Sequence, residues 1–210
     1  MTSPTGAPAD TPTGIPADAA TGVRRRLVEE AARLLGEEGP SALTTRRLAA
    51  GAETSTMAVY THFGGMPALV REVAAEGFRR LIAHVDEVEP TDDPVDDLRR
   101  MAAAYRANAL ENPHLYAVMF GSASLGGFRP HEGDLDEGAA AFEQLVAGVR
   151  RAVEAGVLRA QDPADVAGQF WAALHGYTML ELAHMQHVVP DPEHHLLWPM
   201  LGHLLEAHRA

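Results

Sequence analysis

The 210-residue chain contains no cysteine and no lysine. The absence of cysteine excludes disulfide bonds, thiolate nucleophiles and thiolate-bound zinc or iron–sulfur clusters. All 17 basic residues are arginines, and 29 acidic residues outnumber them, so the formal net charge is -12. This acidity argues against a protein that coats nucleic acid or covers a membrane surface.

Long hydrophobic runs are also missing. The longest uncharged stretches, 112–128 and 166–180, are too short and too rich in Gly, Ser, His or Gln for a membrane span. Residues 1–20 lack the basic start and apolar run of a secretion signal. They predict a disordered tail, because Thr, Pro, Ala, Gly and Asp bury too little apolar surface to offset their ordering entropy. We therefore expect a cytoplasmic protein that does not enter a membrane.

From residue 21 onward the signals are helical. Leu27, Ala31, Leu34 and Leu35 lie at the spacing of one helical face. No segment shows sustained alternation of β-branched residues, so the predicted fold class is all-α, with about nine helices. Further predicted helices and helix starts lie at 67–88, Asp93-Pro94, Asn112-Pro113, 137–155 closed by Gly156, 163–187, and Asp191-Pro192.

Residues 23–63 predict three short helices, the last two joined by a tight turn. Thr44 can cap the second helix and Thr54 or Ser55 the third. This outline is that of a helix-turn-helix, whose last helix fits the major groove of DNA. Residues 22–66 carry a charge of +1, whereas 67–210 carry -11, so the three-helix segment is the only part that is not acidic.

Three segments resemble the amino-terminal DNA-binding domain of TetR-family transcriptional regulators: 43–49 (LTTRRLA), 59–63 (VYTHF) and 68–69 (AL). The resemblance covers roughly residues 22–70. It implies a helix-turn-helix DNA-binding domain at 21–66 and a helical effector-binding and dimerisation domain at 67–210. The implied partners are a double-stranded DNA operator, a small-molecule effector and a second copy of the chain.

Nine residues are predicted to bind DNA. Hydroxyl groups can donate to phosphate oxygens without a basic surface, Arg46 supplies a charge, and Met57 can contact thymine methyl groups. By resemblance, Thr56, Met57, Tyr60 and Thr61 lie in or beside the groove. The predicted set is Thr44, Thr45, Arg46, Ser55, Thr56, Met57, Tyr60, Thr61 and His62.

Two residues depart from the family pattern. Glu53 stands in the turn where the family usually has glycine, which predicts either a positive φ at Glu53 or a turn rebuilt around Gly51. Met66 stands where members commonly carry a lysine that contacts phosphate. Both departures predict weaker DNA binding.

The carboxy-terminal helices suggest a dimer interface and a cavity. Small residues at 168, 172, 176 and 183 predict either a close helix approach or a ligand cavity, and leucines mark one face of the last helix, which Pro199 must kink or start. By resemblance, two such helices from each subunit form a four-helix bundle. The order Trp171, Leu174, His175, Gly176 also resembles a subgroup with a Trp followed by His-Gly in this domain.

A ligand cavity is predicted among the middle helices, with Arg106 or Glu181 as a polar anchor and Phe128, in a loop at 121–133, over its mouth. The same aromatic residues are compatible with an ordinary core, and that alternative stays open. The predicted lining is Tyr105, Tyr116, Met119, Phe120, Trp171, His175 and Met179.

Other functions have weaker sequence support. Glu181, His184 and His187 would share a helical turn, followed by His194 and His195, but no spacing completes a metal site, so we predict no metal and no cofactor. No phosphate-binding loop or nucleophile elbow is present, so we predict no enzyme. The predicted function is a ligand-responsive transcriptional repressor released from a palindromic operator by a largely apolar effector. The alternative is a helical small-molecule or metal-binding protein whose DNA-binding head is weak.

Overall fold

A computed structural model of the chain describes residues 17–121 and 136–210. Within these ranges the chain forms nine α-helices and no β-strand, which confirms the predicted all-α class. In chain order the helices are α1 Ala17–Glu38, α2 Thr45–Gly51, α3 Thr56–Phe63, α4 Met66–Asp86, α5 Pro94–Glu111, α6 Pro113–Met119, α7 Asp136–Glu154, α8 Pro163–Leu182 and α9 Trp198–Ala207. Across the described ranges, no helix has both the length and the apolar character needed to cross a lipid bilayer.

Some of the residues predicted to cap helix starts form capping hydrogen bonds, and others do not. Thr44 accepts a hydrogen bond from the Arg47 amide at 3.3 Å, and Asp93 and Asp162 cap α5 and α8. Ser55 is the residue before α3, but its side chain makes no capping bond.

Several helix bounds differ from the prediction. Helix α1 begins at Ala17, so the last four residues of the predicted tail are helical, whereas 1–16 lie outside the described residues. Asn112 does not cap α6, because its side chain bonds Arg80 and Asn108 instead. The Asp191-Pro192 pair precedes a π-helical turn rather than an α-helix.

Helix α8 ends five residues earlier than predicted. His184 adopts a φ of 55°, its amide donates to Glu181 O at 2.9 Å, and the Met185 amide donates to Leu180 O at 2.8 Å. This is a Schellman ending, which usually uses glycine. Gly156 ends α7 in the same way with a φ of 69°, as predicted from its position.

The buried apolar residues form two clusters. The first lies in the head, which we define as α1–α3, and the second in the core, which we define as α5 and α7–α9. Helix α4 belongs to both, because Leu69 and Val73 are buried in the first cluster and Leu81 in the second. Helix α6 is likewise shared, with Leu115 in the head cluster and Tyr116 in the core cluster.

Helices α4 and α6 approach each other closely at Gly77. The thioether of Met119 occupies the place that a β-carbon at position 77 would take. Any side chain larger than hydrogen at position 77 would require the Met119 side chain to move.

Candidate nucleic-acid interface and internal cavity

The turn between α2 and α3 depends on Glu53. This residue has a φ of 50°, the Thr54 amide donates to Ala49 O at 2.9 Å, and the Glu53 amide donates to Ala50 O at 3.3 Å. The turn is therefore a Schellman ending of α2 with a glutamate in the left-handed position, rather than one rebuilt around Gly51. A residue with a β-carbon costs about 1–2 kcal/mol in this conformation.

Buried contacts fix α2 and α3 against α1. Leu48 and Val59 are fully buried. The Arg26 side chain donates to Ala52 O at 3.0 Å, and Arg24 donates to His62 O at 3.1 Å. These contacts leave the opposite face of α3 to solvent.

The predicted DNA-binding residues all reach the surface of the head. Thr45 and His62 are half-buried, and the other seven are exposed. On α3, Met57 is 65% exposed and Tyr60 is 54% exposed, so two large side chains of one short helix face solvent. The Thr61 hydroxyl donates to Met57 O at 3.0 Å, so it serves the helix itself in the absence of DNA.

Arg46 is the cation on α2 that stays available. It forms no hydrogen bond or ion pair with any residue in the described ranges, whereas Arg47 binds Glu38. Met66, at the position of the family lysine, is half-buried and packs against the head cluster. Met66 therefore offers no charge for the phosphate contact predicted at that position, whereas Arg46, which carries one, is exposed.

An apolar cavity of about 310 Å³ lies between α4, α5, α7 and α8. Of the seven predicted lining residues, Tyr105, Phe120 and Trp171 line it, whereas Tyr116, Met119, His175 and Met179 do not. No charged side chain is among its walls. The lining is Phe78, Leu81, Val85, Met101, Ala102, Tyr105, Phe120, Gly138, Ala139, Ala141, Phe142, Gln144, Leu145, Phe170, Trp171 and Leu174.

A hydrogen-bonded network lies behind one wall. The Tyr105 hydroxyl is 2.8 Å from the Tyr116 hydroxyl and 3.1 Å from His175 Nδ1, and it accepts from Trp171 Nε1 at 3.3 Å. The Tyr116 hydroxyl lies 2.7 Å from the same nitrogen of His175. Burial lowers the pKa of His175 and raises the pKa of Tyr105 to about 12, so all four groups are uncharged at neutral pH.

The two predicted polar anchors bind each other instead of facing the cavity. Arg106 donates to Glu181 through Nε at 2.7 Å and Nη2 at 2.6 Å, which ties α5 to α8. Because α8 ends at Leu182, Glu181 and His184 do not share a helical turn. Within the described residues, no three His, Asp or Glu side chains are grouped to hold a metal. Phe128 lies outside the described residues.

Sequence reasoning missed the contributions of α4 and α7 to the cavity. Phe78 and Gln144 belong to helices whose apolar faces were recognisable, but amphipathic spacing does not say which helix a face meets. The sequence predicted α7 as a helix beginning near 137, but it gave no indication that the first turns of this helix line the cavity.

The small-residue stripe of α8 does not line the cavity. A β-carbon at Gly168 or Gly176 would meet nothing within 4 Å, and Ala172 between them is exposed. Of the two roles predicted for this stripe, its position is compatible only with a close approach by another helix.

Comparisons with known proteins agree with this architecture. Residues 27–73 match the family of bacterial regulatory proteins of the TetR type, and residues 98–201 match the tetracycline-repressor-like carboxy-terminal domain. The chain is 30% identical over 159 residues to an uncharacterized helix-turn-helix-type transcriptional regulator of Mycobacterium tuberculosis, covering 76% of this chain and 70% of the relative.

Solved structures share the fold. A protein of unknown function from Rhodococcus superposes with a TM-score of 0.75 at 26% identity, covering 90% of this chain and 96% of the other. A TetR-family regulator from Thermus thermophilus superposes with a TM-score of 0.69 at 24% identity, covering 86% of this chain and 97% of the other. The chain therefore belongs to the TetR family, and it is a transcriptional regulator with a DNA-binding amino-terminal domain rather than an enzyme.

Proposed function

We propose that the protein is a homodimeric repressor that leaves a palindromic operator when a small, largely apolar effector enters the cavity. The observation that carries this proposal is the shared position of α4. Its first half packs in the head through Leu69 and Val73, and its second half lines the cavity through Phe78, Leu81 and Val85.

Helix α6 supports the same coupling. Leu115 and Val118 pack in the head cluster, and Phe120, directly after the helix, lines the cavity. Met119 of α6 packs in the space above Gly77 of α4, so the two helices are in close contact at this point and a displacement of one presses on the other. A ligand that displaces the walls of the cavity thus shifts both helices that carry the head.

The exposed stripe of α8 supports the homodimer. Gly168, Ala172 and Gly176 present a smooth surface on which a second α8 can approach closely, and Gly202 of α9 is open in the same way. A twofold dimer places two copies of α3 about one DNA turn apart. An effector that binds more tightly to a dimer in which the two α3 helices have a different separation favours that state. A preference of about 1.4 kcal/mol for that state changes operator occupancy about tenfold.

On DNA, α3 enters the major groove. Met57 and Tyr60 form the exposed centre of this surface, and the hydroxyls of Thr44, Thr45 and Ser55 bind phosphate oxygens beside Arg46. Few cations take part, so the salt dependence of binding is shallow.

Selection from a random DNA pool with the purified full-length protein tests the proposal. We expect a palindrome with half-sites about one helical turn apart. Tyr60→Ala is the control and should enrich nothing under the same conditions. Transcription in vitro from a promoter overlapping the selected site should fall when the protein is added. Failure to enrich any site at low salt would contradict the proposal and favour the alternative of a helical small-molecule-binding protein.

A further inference from the structure

The cavity wall contains a buried acceptor that nothing in the described residues satisfies. Gln144, on α7, lines the cavity. Its amide nitrogen donates to Asp86 Oδ1 at 2.7 Å and to Ile82 O at 3.3 Å, both on α4. Its carbonyl oxygen is buried and has no hydrogen-bond partner among the described residues.

The orientation of this amide is determined by its neighbours. Both partners of Nε2 are oxygen acceptors, so exchanging the nitrogen and oxygen would put Oε1 against two oxygens and lose both bonds. Leaving a buried carbonyl oxygen without a partner costs free energy, because the oxygen has given up its hydrogen bonds to water. Because Oε1 is buried, a ligand in the cavity reaches it only when adjoining side chains of the lining shift, and a hydrogen bond donated to Oε1 then recovers that free energy.

The remaining walls limit the chemistry of the ligand. The other lining residues with polar side-chain atoms are Tyr105 and Trp171, and these atoms are already paired: Trp171 Nε1 donates to the Tyr105 hydroxyl, which also bonds Tyr116 and His175. The lining holds no arginine or histidine that could pair with an anionic ligand, and no carboxylate that could pair with a cationic ligand. Burying a charged ligand there would therefore be unfavourable. Asp86 is exposed at the surface and bonds the Gln144 amide.

Ring systems dominate the apolar lining. Six aromatic side chains contribute to it: Phe78, Tyr105, Phe120, Phe142, Phe170 and Trp171. Flat aromatic ligands pack well against such rings. A cavity of about 310 Å³ is at the small end of the range for ligand pockets and suits a molecule of two or three rings.

We infer that the effector is an uncharged aromatic molecule of two or three rings with a single hydroxyl or N–H donor directed at Gln144 Oε1. This inference rests on the proposed function, because it names the ligand class of the same cavity. Gln144 is then the residue that selects ligands with a donor over hydrocarbons of the same shape.

Three probes of similar shape test the inference: biphenyl, 4-phenylphenol and 4-phenylbenzoate. Trp198→Phe leaves Trp171 as the only tryptophan, because the chain has two, so its fluorescence reports binding at the cavity wall. We expect 4-phenylphenol to bind about five- to tenfold more tightly than biphenyl, the value of one hydrogen bond. The carboxylate probe should not bind measurably at pH 7.

Substitution of the acceptor gives the decisive comparison. Gln144→Leu should abolish the preference for the phenol while keeping the affinity for biphenyl. Gln161→Leu is the matched control, because Gln161 also has an unpartnered buried atom but lies outside the cavity, and it should keep the preference. Equal affinities for biphenyl and 4-phenylphenol in the unsubstituted protein, or tighter binding of 4-phenylbenzoate, would overturn the inference.

Parallel measurement of operator release separates the two claims. If 4-phenylphenol binds with the expected preference but does not release the selected operator DNA, the ligand class stands and the proposed function fails. If biphenyl releases the DNA as effectively as the phenol and binds equally well, the proposed function stands and the ligand class fails.

Discussion

Arg47 binds Glu38 with both terminal nitrogens, at 2.9 and 2.6 Å, and so joins α2 to the end of α1. The hydrogen bonds from Arg47 lower the pKa of Glu38. Arg46, one residue earlier, has no partner in the described part of the chain. Two adjacent arginines on one helix therefore differ: Arg47 joins α2 to α1, and Arg46 is available for the phosphate contact that we propose.

Substituting each arginine separates these roles. Arg46→Ala should weaken operator binding and lower the slope of log K against log salt by about one, because one phosphate contact is lost. Arg47→Ala removes the same charge from the same helix and should leave the slope unchanged. Fluorescence anisotropy across a salt series measures both. Equal slopes for the two variants would contradict the assignment.

The exposed Met57 predicts that thymine methyl groups are read directly. Replacing one thymine of the half-site by deoxyuridine removes a methyl group, which is worth about 0.8 kcal/mol or about fourfold in affinity. Met57→Ala should lose most of this discrimination, since its truncated side chain no longer reaches the groove. Deoxyuridine outside the half-sites serves as the control. Equal affinity of the unsubstituted protein for the thymine-containing and the deoxyuridine-containing DNA would refute the prediction.

Glu53 offers a way to separate conformation from charge. Glu53→Gly should stabilise the protein by about 1 kcal/mol, because glycine adopts a positive φ without strain. Glu53→Gln keeps the strain and removes a negative charge from the head, so it should raise operator affinity without raising stability. Urea unfolding and anisotropy measure the two effects. A destabilised glycine variant would show that the glutamate side chain supports the turn.

The order of the elements followed from the sequence, but several of their ends did not. Glycine and Asp-Pro signals placed the ends at Gly156, Asp93 and Asp162 because these residues act through local backbone chemistry. The ends at Glu53 and His184 use the same Schellman bonds without glycine. A positive φ at Glu53 was one of the two turns predicted from the family pattern, whereas nothing in the spacing indicated the ending at His184, where tertiary packing outweighs local preference.

The two candidate sites differed in how far the sequence could define them. The exposed face of the head follows from one short helical motif, whose buried partners Leu48 and Val59 lie within twelve residues of each other. The cavity needs the relative placement of four helices. Aromatic residues of α5 and α8 suggested it, but His175 lies behind Tyr105 rather than in the wall, and Gln144 of α7 carried no distinguishing local signal.

Acid should destabilise the core through Asp97. Its carboxylate is buried on α5, bonds the Thr91 amide and hydroxyl, and pairs with Arg100 and with Arg151 at 2.8 Å. Burial alone would raise the pKa of Asp97, but these partners outweigh it and lower the pKa from 3.8 to about 2. The stabilisation, about 2 kcal/mol, is thus complete above pH 4 and is lost as the pH falls toward 2.

A neutral variant checks this dependence. Asp97→Asn should be about 2 kcal/mol less stable than the unsubstituted protein at pH 7, and the two should converge as the pH approaches 2. Asp96→Asn, at the neighbouring and more exposed carboxylate that pairs with Arg100, should cost less than about 0.5 kcal/mol. Urea unfolding at several pH values measures both. A constant difference between the Asp97 variant and the unsubstituted protein would contradict the ion-pair explanation.

Charges on the α8 stripe should prevent association. Ala172→Glu combined with Gly176→Glu places like charges opposite each other across a twofold axis, while a β-carbon at Gly176 meets nothing within its own chain. We expect a folded monomer in sedimentation equilibrium and loss of operator binding. Ala103→Glu, at an exposed position on α5, should remain dimeric. A dimeric double variant would show that the subunits meet elsewhere.

The length of helix α4 determines how far a small tilt at the cavity displaces the head. Its 21 residues form a rod about 30 Å long, anchored in the cavity wall at one end and in the head at the other. A tilt of about 5° at the cavity end displaces the far end by about 2.6 Å, compared with a rise of about 3.4 Å per base pair along the DNA axis. A tilt of this size therefore shifts the head by most of the axial rise of one base pair.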